Sequence, residues 1–176
     1  MRRVPIVQGE HAVVGDPQVM ITTLLGSCVA VCLYDSTAKV GGMNHFLLGE
    51  PGADHVPRSG DLSRYGVHAM ELLINEMMAK GAVRGRLRAH LYGGATMISG
   101  LGSIGANNAA FARRFMETEG ITVGHCDLGG VHARKVEFLP HDGRSRCTQV
   151  QDPDPMPALP PRREPKKVND GELELF

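Results

Sequence analysis

Two apolar stretches joined by a short polar link constrain the fold of this chain more than any other feature. The stretches span residues 29–34 and 40–48, and the polar link covers residues 35–39. Two β-prone runs with so short a connection are typical of an antiparallel β-hairpin. Successive side chains of a strand point to opposite faces, so the register of this hairpin decides which side chains meet.

The register of this hairpin decides how close the thiol of Cys28 lies to the imidazole of His45. One register pairs Asp35 with Val40 across the turn. Cys28 then faces Leu47, and His45 is the diagonal neighbour of Cys28, with Cβ atoms about 7–8 Å apart. A different register of the same parity places Cys28 directly opposite His45. Both registers leave the two side chains on one face, whereas a shift to the other parity separates them.

Cys28 has the setting of a nucleophile. It follows a flexible corner formed by Gly26 and Ser27, at the entry to an apolar strand. A thiolate is strongly nucleophilic, and a neighbouring imidazole is the usual acceptor of the thiol proton. Cys28 and His45 together therefore indicate nucleophilic acyl chemistry. Backbone N–H groups near Ser27 and Cys28 are candidates for the oxyanion hole, although the sequence does not place them.

Two other interpretations of these residues stay open. Free cysteine is among the most buried residue types, and a packing role suits Cys32, Cys126 and Cys147. A zinc site built on Cys28, Cys32 and His45 with a further histidine is disfavoured, because the strand aligns both thiols along one face and no second Cys-x-x-Cys pair exists. We predict no metal and no cofactor, and we find no evident partner for the remaining histidines.

Composition excludes several classes of protein. The chain has 176 residues, which suits one domain with a real core, and 42% of them are hydrophobic. Its 19 basic and 19 acidic residues balance, which argues against a nucleic-acid binder that neutralises phosphates. No apolar run is long enough to span a bilayer, and the N-terminal apolar stretch is too short for a signal peptide. The sequence therefore predicts a cytoplasmic protein that is not inserted in a membrane.

The rest of the chain mixes strand and helix patterns. Apolar residues at helical spacing predict a helix over 64–80, with Asp61 or Ser63 as its N-terminal cap and Gly81 at its end. The polar stretch 49–62 before it predicts a flap or lid. Further elements are a strand at 18–24, a half-buried strand at 86–92, a helix at about 107–119, and strands at 121–126, 132–139 and 146–150.

Two more segments affect the domain organisation. Residues 100–105 match G-x-G-x-x-G, but residues 93–99 separate them from the preceding strand, so we interpret them as a tight loop before a helix rather than a dinucleotide site. From residue 151 the chain becomes rich in proline and charge. We therefore predict a catalytic domain over 1–150 and a disordered tail over 151–176.

Five blocks of this sequence, in the same order, resemble the CheD family of chemoreceptor glutamine deamidases. The blocks are Thr22 to Leu33 with its Ser27-Cys28 centre, Gly42-Met43-Asn44-His45, Gly93-Gly94-Ala95-Thr96-Met97, Ile104-Gly105-Ala106-Asn107-Asn108, and Asp127 to Phe138. The resemblance covers about residues 5–150 and leaves out the proline-rich tail. Asn44, just before the histidine, is a departure that removes no catalytic group.

The resemblance implies an activity, a site and a fold. The activity is hydrolysis of glutamine side chains on chemotaxis receptors to glutamates, with release of ammonia. The catalytic cysteine, histidine and threonine of the family correspond to Cys28, His45 and Thr22. From the residues themselves, Ser27 and Gly26 are candidates for oxyanion or site support. Thr23 is a rival for the role of orienting the imidazole. The fold is α+β, an α/β/β/α-type sandwich of packed mixed and antiparallel sheets flanked by helices, as in the catalytic domain of cytotoxic necrotizing factor.

The resemblance also implies partners. These are the cytoplasmic helices of chemoreceptors as substrate and a phosphatase of the CheC type, whose presence the sequence does not reveal. A non-catalytic adaptor on the same fold is the alternative function. A small cysteine-dependent esterase or a transglutaminase-like activity also stays open, because the same residues attack any activated acyl carbon.

Overall fold

The computed structural model describes residues 1–48, 59–97 and 103–151. The strands are β1 (Arg2–Pro5), β2 (His11–Val14), β3 (Val19–Leu25), β4 (Val29–Asp35), β5 (Val40–Phe46), β6 (Arg88–Gly93), β7 (Thr122–Leu128), β8 (Arg134–Leu139) and β9 (Arg144–Gln149). The helices are α1 (Ser59–Ala79) and α2 (Ile104–Glu119), and a short 3-10 helix at Arg84–Arg86 precedes β6.

The strands form two mixed sheets. One has four strands in the order β1-β3-β8-β9, and the other has five in the order β2-β5-β4-β6-β7. The pairs β1–β3 and β6–β7 are parallel, and the other neighbours are antiparallel. The predicted α+β class, with packed mixed sheets flanked by helices, is confirmed. In the described ranges both helices contact the five-stranded sheet and pack on the same face of it.

The five-stranded sheet is therefore the middle layer and has a core on each face. One core lies between this sheet and the helices; its members include Val31, Leu33, Phe46, Leu73, Leu91 and Phe111. The other lies between the two sheets; its members include Ile21, Leu25, Ala30, Cys32, Met43, Tyr92 and Phe138. Alternate residues of β4 enter different cores, as the two-residue period of a strand requires.

The hairpin of β4 and β5 has the first of the two registers considered. Asp35 pairs with Val40 and Val29 pairs with Phe46, which places His45 opposite Ala30. If this register is continued by one residue, Leu47 lies opposite Cys28. The diagonal placement of Cys28 and His45 follows from this register.

The prediction of a half-buried strand at 86–92 is wrong. Both faces of β6 are buried: Ala89 and Leu91 lie in the core under the helices, while His90 and Tyr92 lie toward the second sheet. The polar residues of an alternating pattern face water only where no second sheet covers them. Tyr92 donates or accepts a hydrogen bond at 2.6 Å with Ser145 of β9, which satisfies its buried hydroxyl.

The sequence predicts where the helices occur better than it predicts the residues at which they begin and end. α1 begins at Ser59, so Asp61 and Ser63 lie within the helix and the prediction that they cap it is wrong. α2 ends as predicted at Gly120, whose left-handed φ of 66° suits glycine. The predicted flap at 49–62 lies outside the described residues except for its last four, which belong to α1. The tail from residue 152 also lies outside them.

Candidate active site

Cys28 lies at the corner between β3 and β4, and neighbouring backbone holds that corner in place. The N–H of Ala95 donates to the carbonyl of Gly26 at 3.0 Å, and the N–H of Gly94 donates to the carbonyl of Cys28 at 2.8 Å. The segment after β6 thus fastens the corner on both sides of Ser27. A residue held by backbone hydrogen bonds keeps its position without relying on side-chain packing.

The side chain of Asn108 on α2 adds a third attachment. Its Nδ2 donates to the carbonyl of Ser27 at 2.8 Å, and its Oδ1 accepts the N–H of Leu48 at 3.1 Å. Asn108 is almost completely buried, so both halves of its carboxamide need partners. It therefore links the nucleophile corner to the chain that leaves β5, the strand of His45. The carbonyls of Gly26 and Ser27 accept hydrogen bonds that hold the corner, while the role predicted for these residues as oxyanion or site support stays a prediction.

Gly93 permits this close approach. Its φ is 111°, and a Cβ at this position would collide with the carbonyl oxygen of Cys28. Only glycine adopts such a conformation without strain and leaves room for the neighbouring backbone. Gly129 provides a comparison, because its φ of 88° is also positive while no atom lies within 4 Å of a Cβ built there.

His45 is oriented by a hydrogen-bonded chain that starts at the N-terminal segment. The hydroxyl of Thr23 donates to the carbonyl of Ile6 at 2.8 Å, and its oxygen lies 2.8 Å from Nδ1 of His45. Because the hydroxyl has one proton and gives it to Ile6, the proton of the second bond belongs to Nδ1. The neutral ring then carries its lone pair on Nε2, which is the tautomer that a general base requires.

The environment of His45 favours the neutral ring. Burial lowers the pKa of His45 below its ordinary value of 6.5, because a buried cation loses hydration. The carboxylate of Glu10 acts in the opposite direction and raises that pKa. The net shift is downward, so the imidazole is available to accept a proton near neutral pH.

The structure brings Thr23 to His45, and Thr22 does not share that contact. Residues of β3 alternate, with Thr23 buried between the sheets and Thr22 half-buried on the outer face, where it pairs with Glu137 of β8. Among the described residues, the hydrogen-bonded hydroxyl at Nδ1 of His45 is that of Thr23. The family resemblance assigns the orienting role to Thr22, whereas the hydroxyl that contacts the ring is that of Thr23, the residue named as its rival.

The N-terminal segment is a part of the site that sequence reasoning missed. The N–H of Gly9 donates to the carbonyl of His45 at 2.8 Å, and the N–H of His45 donates to the carbonyl of Glu10 at 3.0 Å. The thiol of Cys28 lies 3.7 Å from Oε1 of Gln8. The strands on either side of this turn are four residues each, too short to show a reliable period in the sequence.

The other cysteines differ in their surroundings. Cys32 is completely buried between the sheets, and burial raises the pKa of its thiol well above the usual range. Cys147 is half-buried beside Asp127, and burial first and that carboxylate second raise its pKa to about 11. Cys126 is exposed on β7, so the packing interpretation is wrong for it. None of the four cysteines forms a disulfide bond.

Two of the remaining histidines have partners that were not evident in the sequence, which suits the surface or structural roles expected of them. Nε2 of His11 lies 2.6 Å from the carboxylate of Glu76, and Nε2 of His90 lies 2.9 Å from the carbonyl of Gly143. Both pairs join residues far apart in sequence, which is why the sequence did not reveal them. Among the described residues, no group of three or more histidine, cysteine or acidic side chains is placed to hold a metal ion.

We predict that Gly93→Ala destabilises the protein more than Gly129→Ala. Both substitutions place alanine at a positive φ, which costs about 1 to 2 kcal/mol. Gly93→Ala adds the collision with the Cys28 carbonyl, for about 2 kcal/mol more. Urea unfolding of both variants measures the difference. Equal losses would show that the corner moves aside freely and is not held as described.

Known proteins resemble this chain in sequence over most of its length. A model of the family described as CheD chemotactic sensory transduction matches residues 47–149. A Zymomonas mobilis protein named probable chemoreceptor glutamine deamidase CheD is 56% identical, over 90% of this chain and 86% of that protein. A Caulobacter protein of the same name is 48% identical, over 99% of this chain and 93% of that protein. No helix among the described residues is both long and apolar enough to cross a membrane.

Solved structures give a weaker likeness. A crystal structure of a Neisseria meningitidis protein of the DUF152 family matches with a TM-score of 0.44 and 14% identity, over 74% of this chain and 64% of that one. The sequence comparisons are decisive by themselves, because the family model matches more than half of the chain and the named relatives are far more than 30% identical over most of it. This chain belongs to the CheD family.

Proposed function

We propose that this protein is a glutamine deamidase that hydrolyses side-chain carboxamides of chemoreceptor glutamines to carboxylates and releases ammonia. The reaction is assigned to residues 1–150, with Cys28 as nucleophile and His45 as base. Relatives that carry the name of such an enzyme match this chain over most of its length. The observation that carries the proposal is the hydrogen bond that Nδ1 of His45 donates to the Thr23 hydroxyl, which leaves Nε2 as the unprotonated ring nitrogen.

The reaction proceeds in two halves. Nε2 of His45 takes the proton of Cys28, and the thiolate attacks the carboxamide carbon of a glutamine. The carbonyl oxygen becomes an oxyanion, and its collapse breaks the carbon–nitrogen bond while His45 returns the proton to the departing ammonia. Water, deprotonated by His45, then attacks the thioester. The products are glutamate and the restored thiol.

The surroundings of the corner suit a protein substrate. Four large apolar side chains are exposed in segments that meet there, namely Val7, Leu24, Met97 and Val131. Met97 lies over Gly26, where it comes within 3.1 Å of a Cβ built on that glycine. Exposed apolar side chains on segments that meet at such a corner are typical of an interaction surface. We assign this surface to the cytoplasmic helices of receptors, and the family resemblance adds a CheC-type phosphatase as a second partner.

Removal of the Cys28 thiol is the direct test. We expect Cys28→Ala to abolish the gain of about one dalton per deamidated glutamine in receptor cytoplasmic fragments, measured by intact mass and peptide mapping. Two control variants remove other thiols: Cys126→Ala on the surface and Cys32→Ala in the core. Both are expected to retain activity. Wild-type protein that binds receptor fragments without any mass gain would favour the adaptor function instead.

Substitution of Thr23 and substitution of Thr22 are expected to lower kcat/KM to different extents. Thr23→Val removes the hydroxyl that orients His45, and we expect kcat/KM to fall by about 100-fold because the ring loses its tautomer and position. Thr22→Val is the matched control on the opposite face of β3, with an expected change below about threefold. Thr23→Ser keeps the hydroxyl and should restore most activity. The reverse ranking would return the orienting role to Thr22.

The pH dependence of kcat/KM reports the pKa of His45. Because burial lowers that pKa, the acid limb is expected to have its midpoint below 6.5. Glu10→Gln removes the carboxylate that raises the pKa, so the midpoint should move to still lower pH. Glu117→Gln, on the exposed face of α2, serves as the control with no expected shift. A shift of the Glu10→Gln midpoint to higher pH would contradict this assignment.

A further inference from the structure

The side chain of Gln8 lies at the reacting sulfur, and neither the family resemblance nor the mechanism above uses it. Its Oε1 is 3.7 Å from Sγ of Cys28, within the range of a sulfur hydrogen bond. Oε1 and Nε2 occupy nearly equivalent positions on a carboxamide, so a half-turn of this exposed group presents N–H donors at the same place.

The backbone that carries Gln8 is fixed to the catalytic histidine. The carbonyl of Ile6 accepts the Thr23 hydroxyl, and on the other side the N–H of Gly9 donates to the carbonyl of His45. Gln8 thus lies between two residues that are hydrogen-bonded to the His45–Thr23 pair. The position of its side chain relative to the thiol is set by the same contacts that orient the base.

The turn itself is closed internally. The N–H of Glu10 donates to the carbonyl of Val7 at 3.0 Å, and the carboxylate of Glu10 accepts the N–H of Val7 at 2.9 Å. Gly9 adopts a φ of 87°, as this reversal requires. A side chain on a doubly closed turn is better placed for catalysis than one on an open loop, because less order has to be gained when substrate binds.

The geometry points to Gln8 as a catalytic residue whose carboxamide N–H donates a hydrogen bond to the oxyanion formed when Cys28 attacks the substrate. This inference rests on the proposed deamidation. The oxyanion forms on an atom bonded to the carbon that the sulfur attacks, so a donor just beyond van der Waals contact with the sulfur reaches it. Docking of a receptor on the apolar surface removes water from this position and strengthens the bond.

The test compares two isosteric changes. Gln8→Met keeps length without a donor, and Gln8→Glu replaces the donor by a negative charge that opposes the oxyanion. We expect kcat on a receptor cytoplasmic fragment to fall about 100-fold in Gln8→Met and further in Gln8→Glu, with KM within about threefold. Gln18→Ala, in the turn before β3, is the control and should leave kcat unchanged.

A second measurement separates catalysis from structure. The rate at which iodoacetamide alkylates Cys28 depends on the thiolate and not on an oxyanion donor, so it should be the same in wild type and Gln8→Met. Loss of alkylation in parallel with kcat would overturn the inference, because Gln8 would then only support the thiol. So would a kcat of Gln8→Met within about threefold of wild type.

Mass mapping of the purified protein gives a third outcome. Glutamate at position 8 in wild type but glutamine in Cys28→Ala would mean that Gln8 is attacked as a substrate, which also overturns its role as donor. Intact Gln8 in both supports that role. Wild-type protein without any deamidation of receptor fragments would instead refute the proposed function, and with it the role of Gln8; the two failures are therefore distinguishable.

Discussion

The site depends on one buried hydrogen-bonded chain, from the ring of His45 through the hydroxyl of Thr23 to the carbonyl of Ile6. The three groups come from different parts of the molecule. His45 lies on β5 in the middle sheet, Thr23 lies on β3 in the outer sheet, and Ile6 lies in the connection between β1 and β2. A hydroxyl is a suitable central link because it can accept from one group while it donates to another. The carbonyl of Ile6 can only accept, so the Thr23 hydroxyl donates to it. The hydroxyl oxygen therefore accepts from Nδ1 of His45.

The same connection explains why the N-terminal strands matter. β1 extends the four-stranded sheet beside β3, and β2 extends the five-stranded sheet beside β5. The turn between them crosses from one sheet to the other at the end where Cys28 lies. By this crossing the turn brings Ile6, Gln8 and Gly9 to Cys28, Thr23 and His45. The Glu10 carbonyl completes the backbone bonds around His45. A loosened turn would disturb the base and the nucleophile together.

The sequence was sufficient for the central hairpin and insufficient for what surrounds it. The hairpin itself follows from a short connection between two long apolar runs, which are local features, whereas two registers were open and the structure selects the one that pairs Asp35 with Val40. The choice between Thr22 and Thr23 is not local, because adjacent residues of a strand point to opposite faces and only the second sheet shows which face is buried. The burial of His90 was missed for the same reason. The four-residue strands β1 and β2 carry too little pattern to be recognised alone.

The corner that carries Cys28 shows how a half-buried thiol is held through its backbone. Three consecutive carbonyls, those of Gly26, Ser27 and Cys28, each accept a hydrogen bond from a neighbouring element. Behind them, the buried Arg134 donates to the carbonyl of Gly93 at 3.3 Å and to Asp127 at 3.0 Å, so the supporting segment is itself anchored. All of these attachments act from the inner side through backbone and buried side chains. We propose that a receptor docks from the other side, where its own surface would exclude water from the reacting groups.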